Sequence, residues 1–340
     1  MKPTDFAAQL SRYLGIYLPG QIGGSINTIR SYRDTFSLFL RYCKDEQGLS
    51  IQKLTLEKID HYLIEQFLLW LENERDCCAG TRNNRLAAIH AFYRYLQIEM
   101  PQYLSRFQEI LSIPYKKTQK KVMSYLTLDG MKALLAQPDT TTVSGWRDLA
   151  MLSLLYDTGA RVQELVDLKM EDIRLSSPTV IRLTGKGNKS RLVPIMVPTE
   201  KLLRKYLDEQ DQHYAAHGGY PLFCNRAGKK LTRAGVTYIL DKYLSQAKTS
   251  GESSLPNSIS PHCLRHSKAM HLLQSGVNLV YIRDLLGHAD ISTTEVYARA
   301  DEHFKRQALE KAYPSPTPVS ETTAWQNDDD LLGWLRNLGK

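Results

Sequence analysis

Leu286-Gly287-His288-Ala289-Asp290-Ile291-Ser292-Thr293-Thr294-Glu295-Val296-Tyr297 is the stretch on which the reading of this chain turns. A helix spanning about Val280 to Leu286 stops at a glycine, the residue that most easily takes the left-handed conformation ending a helix. After four intervening residues another helix opens at Ser292, with Ser292-x-x-Glu295 in the pattern of a capping box, so Tyr297 falls near the start of a short helix. Upstream lie His262-x-x-Arg265, Lys186 in Gly-Lys-Gly-Asn, and Arg161 in Thr-Gly-Ala-Arg. Two arginines, a lysine and two histidines thus precede one late tyrosine. That is the side-chain set needed to attack a phosphodiester without a metal: a nucleophile, cations for the phosphoryl oxygens, and proton donors and acceptors.

The elements around these residues read as a mixed domain beginning at Tyr125. Thr127 heads a short helix. Gly145 to Tyr156 is an apolar helix that ends at Thr158-Gly159. Val180 to Leu183 and Arg191 to Ile195 read as two strands, and the turn Gly185-Lys186-Gly187-Asn188 between them makes a hairpin whose glycines permit positive φ. Lys186 is thereby held at a turn tip, with Lys189 a rival in the same loop. Helices follow at about Thr199 to Gln212, Thr232 to Ala247 and Pro261 to Ser275. In the last of these, Ser260-Pro261 supplies a cap and a first-turn proline. His262 and Arg265, spaced i, i+3, share one face near the helix N-terminus, where an anion is favoured.

Residues up to about Ile113 read as a helical cluster. Ser25 to Glu46 repeats apolar or aromatic residues at Ile26, Ile29, Tyr32, Phe36, Phe39, Leu40 and Tyr42, with Ser25 as N-cap. Asp60 to Arg75 and Thr81 to Glu99 repeat the pattern. Pro114 to Lys121 then breaks the periodicity with Lys116, Lys117, Lys120 and Lys121, an exposed basic linker that can track phosphates. Beyond Ala312, Pro314-Ser315-Pro316-Thr317-Pro318 is a second linker. Asp328-Asp329-Asp330 leads a stripe of Leu331, Leu332, Trp334, Leu335 and Leu338, a terminal helix too small to fold without docking on its own body or a neighbour.

Bulk composition sets the frame. The 340 residues suffice for two domains, and 42% hydrophobic residues give each a core. Forty-four Lys+Arg against 36 Asp+Glu give a net charge of +8, suited to a polyanionic partner. The five cysteines carry neither Cys-x-x-Cys nor zinc-site spacing and read as reduced thiols in a cytosol. The start lacks the apolar run of a signal peptide, and no stretch approaches the length of a membrane span, so the chain reads as soluble and cytoplasmic. Gly-Lys-Gly-Asn-Lys-Ser lacks the Walker A spacing, which disfavours nucleotide hydrolysis.

The order Arg161, Lys186, His262, Arg265, His288, Tyr297, with the last two nine positions apart, resembles the tyrosine recombinase (phage integrase) family, including its Xer-like members. The resemblance covers most of the chain and is strongest from about Tyr125 to Tyr313. It implies a mostly α fold with a small β-sheet: a helical, SAM-like core-binding domain over 1–113, a basic linker over 114–124, an α/β catalytic domain over 125–313, and a linker with a docking helix over 314–340. It implies that Arg161 and Arg265 clamp the phosphate, Glu164 orients Arg161, Lys186 is the general acid, His262 and His288 serve the phosphate, and Tyr297 is the nucleophile. His266 is left as packing or support. The implied reaction is site-specific DNA strand exchange through a 3′-phosphotyrosyl link, without metal or other cofactor. The implied partners are double-stranded DNA, three further copies of the chain in a tetramer on two sites, and accessory DNA-binding proteins, with no membrane. Alternatives are a type IB topoisomerase, a non-catalytic DNA-binding regulator on the same scaffold, and a metal-dependent nuclease or transposase.

Overall fold

Capping side chains mark where the helices begin. The computed structural model describes residues 2–118, 123–208, 219–249 and 255–300, together with Leu335 and Leu338; the side chains of Lys186, Arg299 and Ala300 are outside the described set. Lys120, Lys121 and nearly all of the expected docking helix, Leu331 to Leu338, also lie outside the described residues. The chain divides into two compact units, Met1–Lys121 and Val122–Lys340.

The first unit is helical. Helix α1 (Asp5–Arg12) runs into a π-helical segment, Tyr13–Gln21, and is followed by α2 (Ile26–Asp45), α3 (His61–Asn73), α4 (Ala79–Glu99) and α5 (Leu104–Leu111). Thr4, Ser25 and Asp60 each accept a backbone N–H from the first turn of their helices, which satisfies donors that have no partner within the helix. The apolar stripes read for α2 to α4 converge on an aromatic core of Phe36, Phe39, Phe67, Phe92 and Phe107. Two short helices, α1 and α5, do not emerge from periodicity, because eight residues hold barely two turns of pattern.

The basic segment is less free than its composition suggests. Asn83 on α4 exchanges two hydrogen bonds with the Lys116 backbone, at 2.7 and 3.0 Å, and Arg82 donates to the Pro114 carbonyl at 2.9 Å. Lys116 is ion-paired to Glu72 at 2.7 Å, whereas Lys117 is exposed. The first part of the expected linker is thus strapped to α4, a consequence of side-chain donors that composition does not reveal.

The second unit contains α6 (Leu128–Leu135), α7 (Val143–Thr158), α8 (Val162–Asp167), α9 (Val197–Asp208), α10 (Arg233–Thr249), α11 (Pro261–Gln274), α12 (Leu279–Leu286) and α13 (Ser292–Ala300). A three-stranded antiparallel sheet, β1 (Ile173–Arg174), β2 (Val180–Thr184) and β3 (Ser190–Pro194), follows chain order. In its register Ile181 faces Val193 and Leu183 faces Arg191, so strand alternation puts Arg191 on the inward side with Val193. The two-residue β1 was not read from the sequence. The central helix is α7, whose Met151, Leu152, Leu154 and Leu155 are fully buried and which packs against α9 and α11.

Helix α7 ends as its glycine suggested. Gly159 has φ +57°, and a Cβ there would lie 2.6 Å from Leu286 Cδ2. A Gly159→Ala chain is therefore expected to lose roughly 1–3 kcal/mol of stability through the left-handed backbone and the clash. Urea unfolding checks this, and an unchanged midpoint would contradict it. Among the described residues no helix is long and apolar enough to cross a membrane.

Candidate active site

The site assembles from the ends of elements rather than from their middles. Arg161 follows the Gly159 cap and opens α8. Its backbone N–H donates to Glu164 Oε2 at 3.0 Å and its Nη1 to Oε1 at 2.7 Å. Arg191 on β3 donates to the same two oxygens, at 3.2 and 2.8 Å. Burial alone would raise the Glu164 pKa, but the hydrogen bonds from Arg191 and from the Arg161 backbone outweigh it and bring it down to about 2.

Gly185, the first residue of the hairpin turn, lies against this carboxylate: a Cβ there would stand 2.8 Å from Glu164 Oε1. Its φ is −106°, so close approach, not backbone handedness, is what requires glycine there; positive φ occurs at Gly187 and Asn188. The turn carrying Lys186 is thus seated beside Arg161 and Glu164, although the Lys186 side chain is outside the described set.

The end of α12 forms the second anchor. Three consecutive carbonyls, which as the last of a helix lack helical partners, are each taken by a different arginine. Leu285 accepts from Arg191 Nε at 2.9 Å and Leu286 from Arg265 Nη2 at 2.7 Å, while Gly287 makes a longer contact with Arg161 Nη2 at 3.4 Å. Arg265 also donates to the Gly159 carbonyl at 2.6 Å. Burial, and then the neighbouring Arg161, lower the Arg265 pKa to about 10, which leaves it charged at neutral pH. Gly287 has φ +64°, and a Cβ there would stand 2.9 Å from Arg191 Nη1. Three guanidinium groups lie around one buried carboxylate, which pairs with only two of them, Arg161 and Arg191, so the pocket holds excess positive charge.

The histidines and the tyrosine complete it. His288 Nδ1 pairs with Thr294 Oγ1 at 2.9 Å, and its ring lies nearly parallel to that of Tyr297, centroids 6.4 Å apart. Burial and then the three arginines push its pKa down to about 4, so it is neutral at pH 7. His262, in the first turn of α11, also has a lowered pKa, by burial and then by Arg265 and Arg161. Tyr297 is only 2% exposed and packs among Ala269, Met270, Ile282 and Leu286. Burial raises its pKa while the charges of Arg265 and Arg161 pull against that.

Arg161, Glu164, Arg265, His288 and Tyr297 therefore meet in one place, with His262 at its edge. The helix of Tyr297 opens at Ser292, as read; the Ser292 N–H is accepted by Asp290 Oδ1 at 2.9 Å, and Tyr297 is the sixth residue of the helix. One detail differs from expectation. His266, read as packing, places Nδ1 3.0 Å from Tyr297 Oη. Arg191 was passed over altogether, although its parity with Val193 on β3 was available as a signal. Cys263 joins the hydrophobic core. Among the described residues no cluster of three His, Cys, Asp or Glu is arranged to hold a metal.

Comparison with known proteins follows the same division. Residues 124–303 match the phage integrase family, and residues 11–99 match its N-terminal SAM-like domain. The integrase/recombinase y4rC of Sinorhizobium fredii is 35% identical over 99% of both chains. Tyrosine recombinase XerC of Pelotomaculum thermopropionicum is 33% identical over 89% of this chain and 96% of its own. The crystal structure of the XerH site-specific recombinase, in a post-cleavage complex with its palindromic difH substrate, superposes with a TM-score of 0.64 at 23% identity. That match covers 85% of this chain and 80% of that one. With both portions matched and relatives aligned along nearly its whole length, the chain belongs to the phage integrase family of tyrosine recombinases, enzymes of site-specific DNA recombination.

Proposed function

We propose that Tyr297 attacks the scissile phosphate of a duplex recombination site, giving a 3′-phosphotyrosyl link and a free 5′-hydroxyl. The observation that carries this reading is the convergence of Tyr297 with Arg161 and Arg265 of the same chain in one positively charged pocket. The two guanidinium groups take the non-bridging oxygens as charge builds on them, and Arg265 is already oriented by its two backbone carbonyls. Glu164 holds Arg161. His288, neutral, offers a hydrogen bond from its remaining nitrogen, and His262 contributes another at the pocket edge. Lys186, on the hairpin seated beside Glu164, delivers the proton to the departing 5′ oxygen.

One phosphodiester is exchanged for another, so the energy needed for rejoining stays in the protein–DNA link and ATP is not required. Strand exchange then takes four copies on two sites, in the cytoplasm, with accessory DNA-binding proteins free to set direction. In this reading the segment 1–113 grips the duplex, 114–124 tracks its phosphates through Lys117 and its neighbouring lysines, 125–313 performs the chemistry, and 314–340 docks on a neighbouring copy.

The test uses a duplex selected for binding from a randomised pool, nicked near the cleavage point so that the short strand diffuses away and traps the link. The full chain is expected to migrate with labelled DNA under denaturing conditions, with the adduct on the peptide containing Tyr297. Tyr297→Phe is expected to bind the same duplex and form no adduct. An adduct on another residue, or one that survives Tyr297→Phe, would refute the assignment. Relaxation of plasmids bearing no selected site, with no requirement for paired sites, would favour topoisomerase activity instead.

A further inference from the structure

The phenol of Tyr297 touches a residue that neither its sequence position nor the proposed roles above employ. Among the described residues, His266 Nδ1 is the ring nitrogen in hydrogen-bond contact with Oη, at 3.0 Å, with ring centroids 5.7 Å apart. The other two histidines are placed differently. His288 spends its Nδ1 on Thr294, and the His262 ring stacks beside that of His266 at 6.3 Å.

We infer that His266 is the general base of strand cleavage, accepting the Tyr297 hydroxyl proton on Nδ1 as Oη attacks phosphorus. This rests on the reading of Tyr297 as the nucleophile. In the step, the Oη–P bond forms as the P–O5′ bond breaks. The phenolic proton passes to Nδ1, converting a ring protonated on Nε2 into imidazolium, and the leaving 5′ oxygen takes its proton from the general acid. Rejoining reverses the transfer: the imidazolium returns its proton to the phenolate as the 5′-hydroxyl attacks.

The surroundings suit this role. Residues i and i+1 on a helix point about 100° apart, so His266 can meet the tyrosine while Arg265 reaches the two carbonyls and the phosphate pocket. Burial, then His262 and Arg265, disfavour the protonated ring, so His266 is neutral at rest with a lone pair to offer. Burial likewise keeps the proton on Tyr297. A neutral imidazole facing a protonated phenol is the ground state required for general-base catalysis. Bonding of Oη to phosphorus makes its proton strongly acidic, and the transfer becomes favourable only then.

The test measures adduct formation at single turnover on the selected nicked duplex and on the same duplex with a 5′-bridging phosphorothiolate at the cleavage point. A thiolate leaves without needing a proton, so a general-acid defect such as that of Lys186→Ala disappears on the sulfur substrate, while a general-base defect persists. His266→Gln keeps a hydrogen-bond acceptor near Oη but cannot take up a proton. It is expected to be slower by about 10²-fold or more on both substrates. His266→Gly is expected to recover part of its rate when imidazole is added, which a merely structural role would not produce. Thermal unfolding establishes that both variants are folded. A His266→Gln chain as fast as the parent, a defect confined to the oxygen substrate, or a folded His266→Gly chain indifferent to imidazole would each overturn the assignment. If the parent chain forms its adduct elsewhere than Tyr297, it is the nucleophile reading that fails. An adduct on Tyr297 with fully active His266→Gln removes only the base.

Discussion

An Arg265→Ala chain is expected to form the DNA adduct at least about 10³-fold more slowly than the parent, with binding to the selected duplex largely retained. The magnitude follows from what the side chain does at once. It holds a charge at the point where the phosphoryl oxygens gain theirs, and the residue is itself only 3% exposed, so water does not readily substitute for it. Its two hydrogen bonds to Gly159 and Leu286 fix the guanidinium before any substrate arrives, so no reorganisation is spent during the reaction. Arg265→Lys is expected to fail nearly as badly, because a single ammonium cannot reach two carbonyls from separate helix ends and also present two donors to a phosphate. Loss of the side chain further leaves two buried carbonyls without their donor, which is expected to lower stability by about 1–3 kcal/mol for each. Single-turnover adduct assays and urea unfolding separate the two effects. A variant that cleaves within about tenfold of the parent rate would rule out Arg265 as part of the clamp.

Glu164→Gln is expected to lower stability by about 3 kcal/mol at neutral pH. The carboxylate is buried and accepts from Arg161 and Arg191 together, so a neutral amide leaves two guanidinium groups sharing a pocket with no counter-charge. The pH dependence gives an independent check. The folded pKa, about 2, lies below the ordinary 4.5, so the carboxylate's contribution is fully present above about pH 4.5 and is lost as pH falls toward 2. A displacement of that size corresponds to about 3 kcal/mol. The gap between parent and Glu164→Gln in urea unfolding should therefore be widest at pH 7 and close progressively below pH 4.5. A gap independent of pH would mean that the loss comes from packing rather than charge. Cleavage should slow as well, by about 10²-fold, because Arg161 loses the bond that orients it.

How much of this was legible beforehand follows from the range of each interaction. Ser25 was readable as the cap of α2 because its partner, the Thr28 N–H, is three residues away. Gly159 was readable as the end of α7, and Gly185 to Asn188 as a hairpin turn, for the same reason: turns and caps are local. The strap on the basic segment was not readable, since Asn83 and Lys116 are 33 residues apart and nothing in either neighbourhood announces the other. His266 was set aside because i, i+3 spacing already accounted for His262 and Arg265. Spacing tells which residues share a helix face, not which nitrogen an oxygen 31 residues downstream will meet.

By itself, the order of residues determined the helical character of the first unit, the hairpin of the second, and the roster of arginines, histidines and one tyrosine that resembles a recombinase. These depend on hydrophobic period, on caps, and on chemistry carried by residue type. Only the tertiary structure decided that the last three carbonyls of α12 hold three arginines, that Arg191 shares Glu164 with Arg161, and that the tyrosine rests buried against His266. Those pairings join chain segments as much as 126 residues apart. They exist because burial leaves polar groups no water to bond, so each must find its partner wherever packing brings one within about 3 Å.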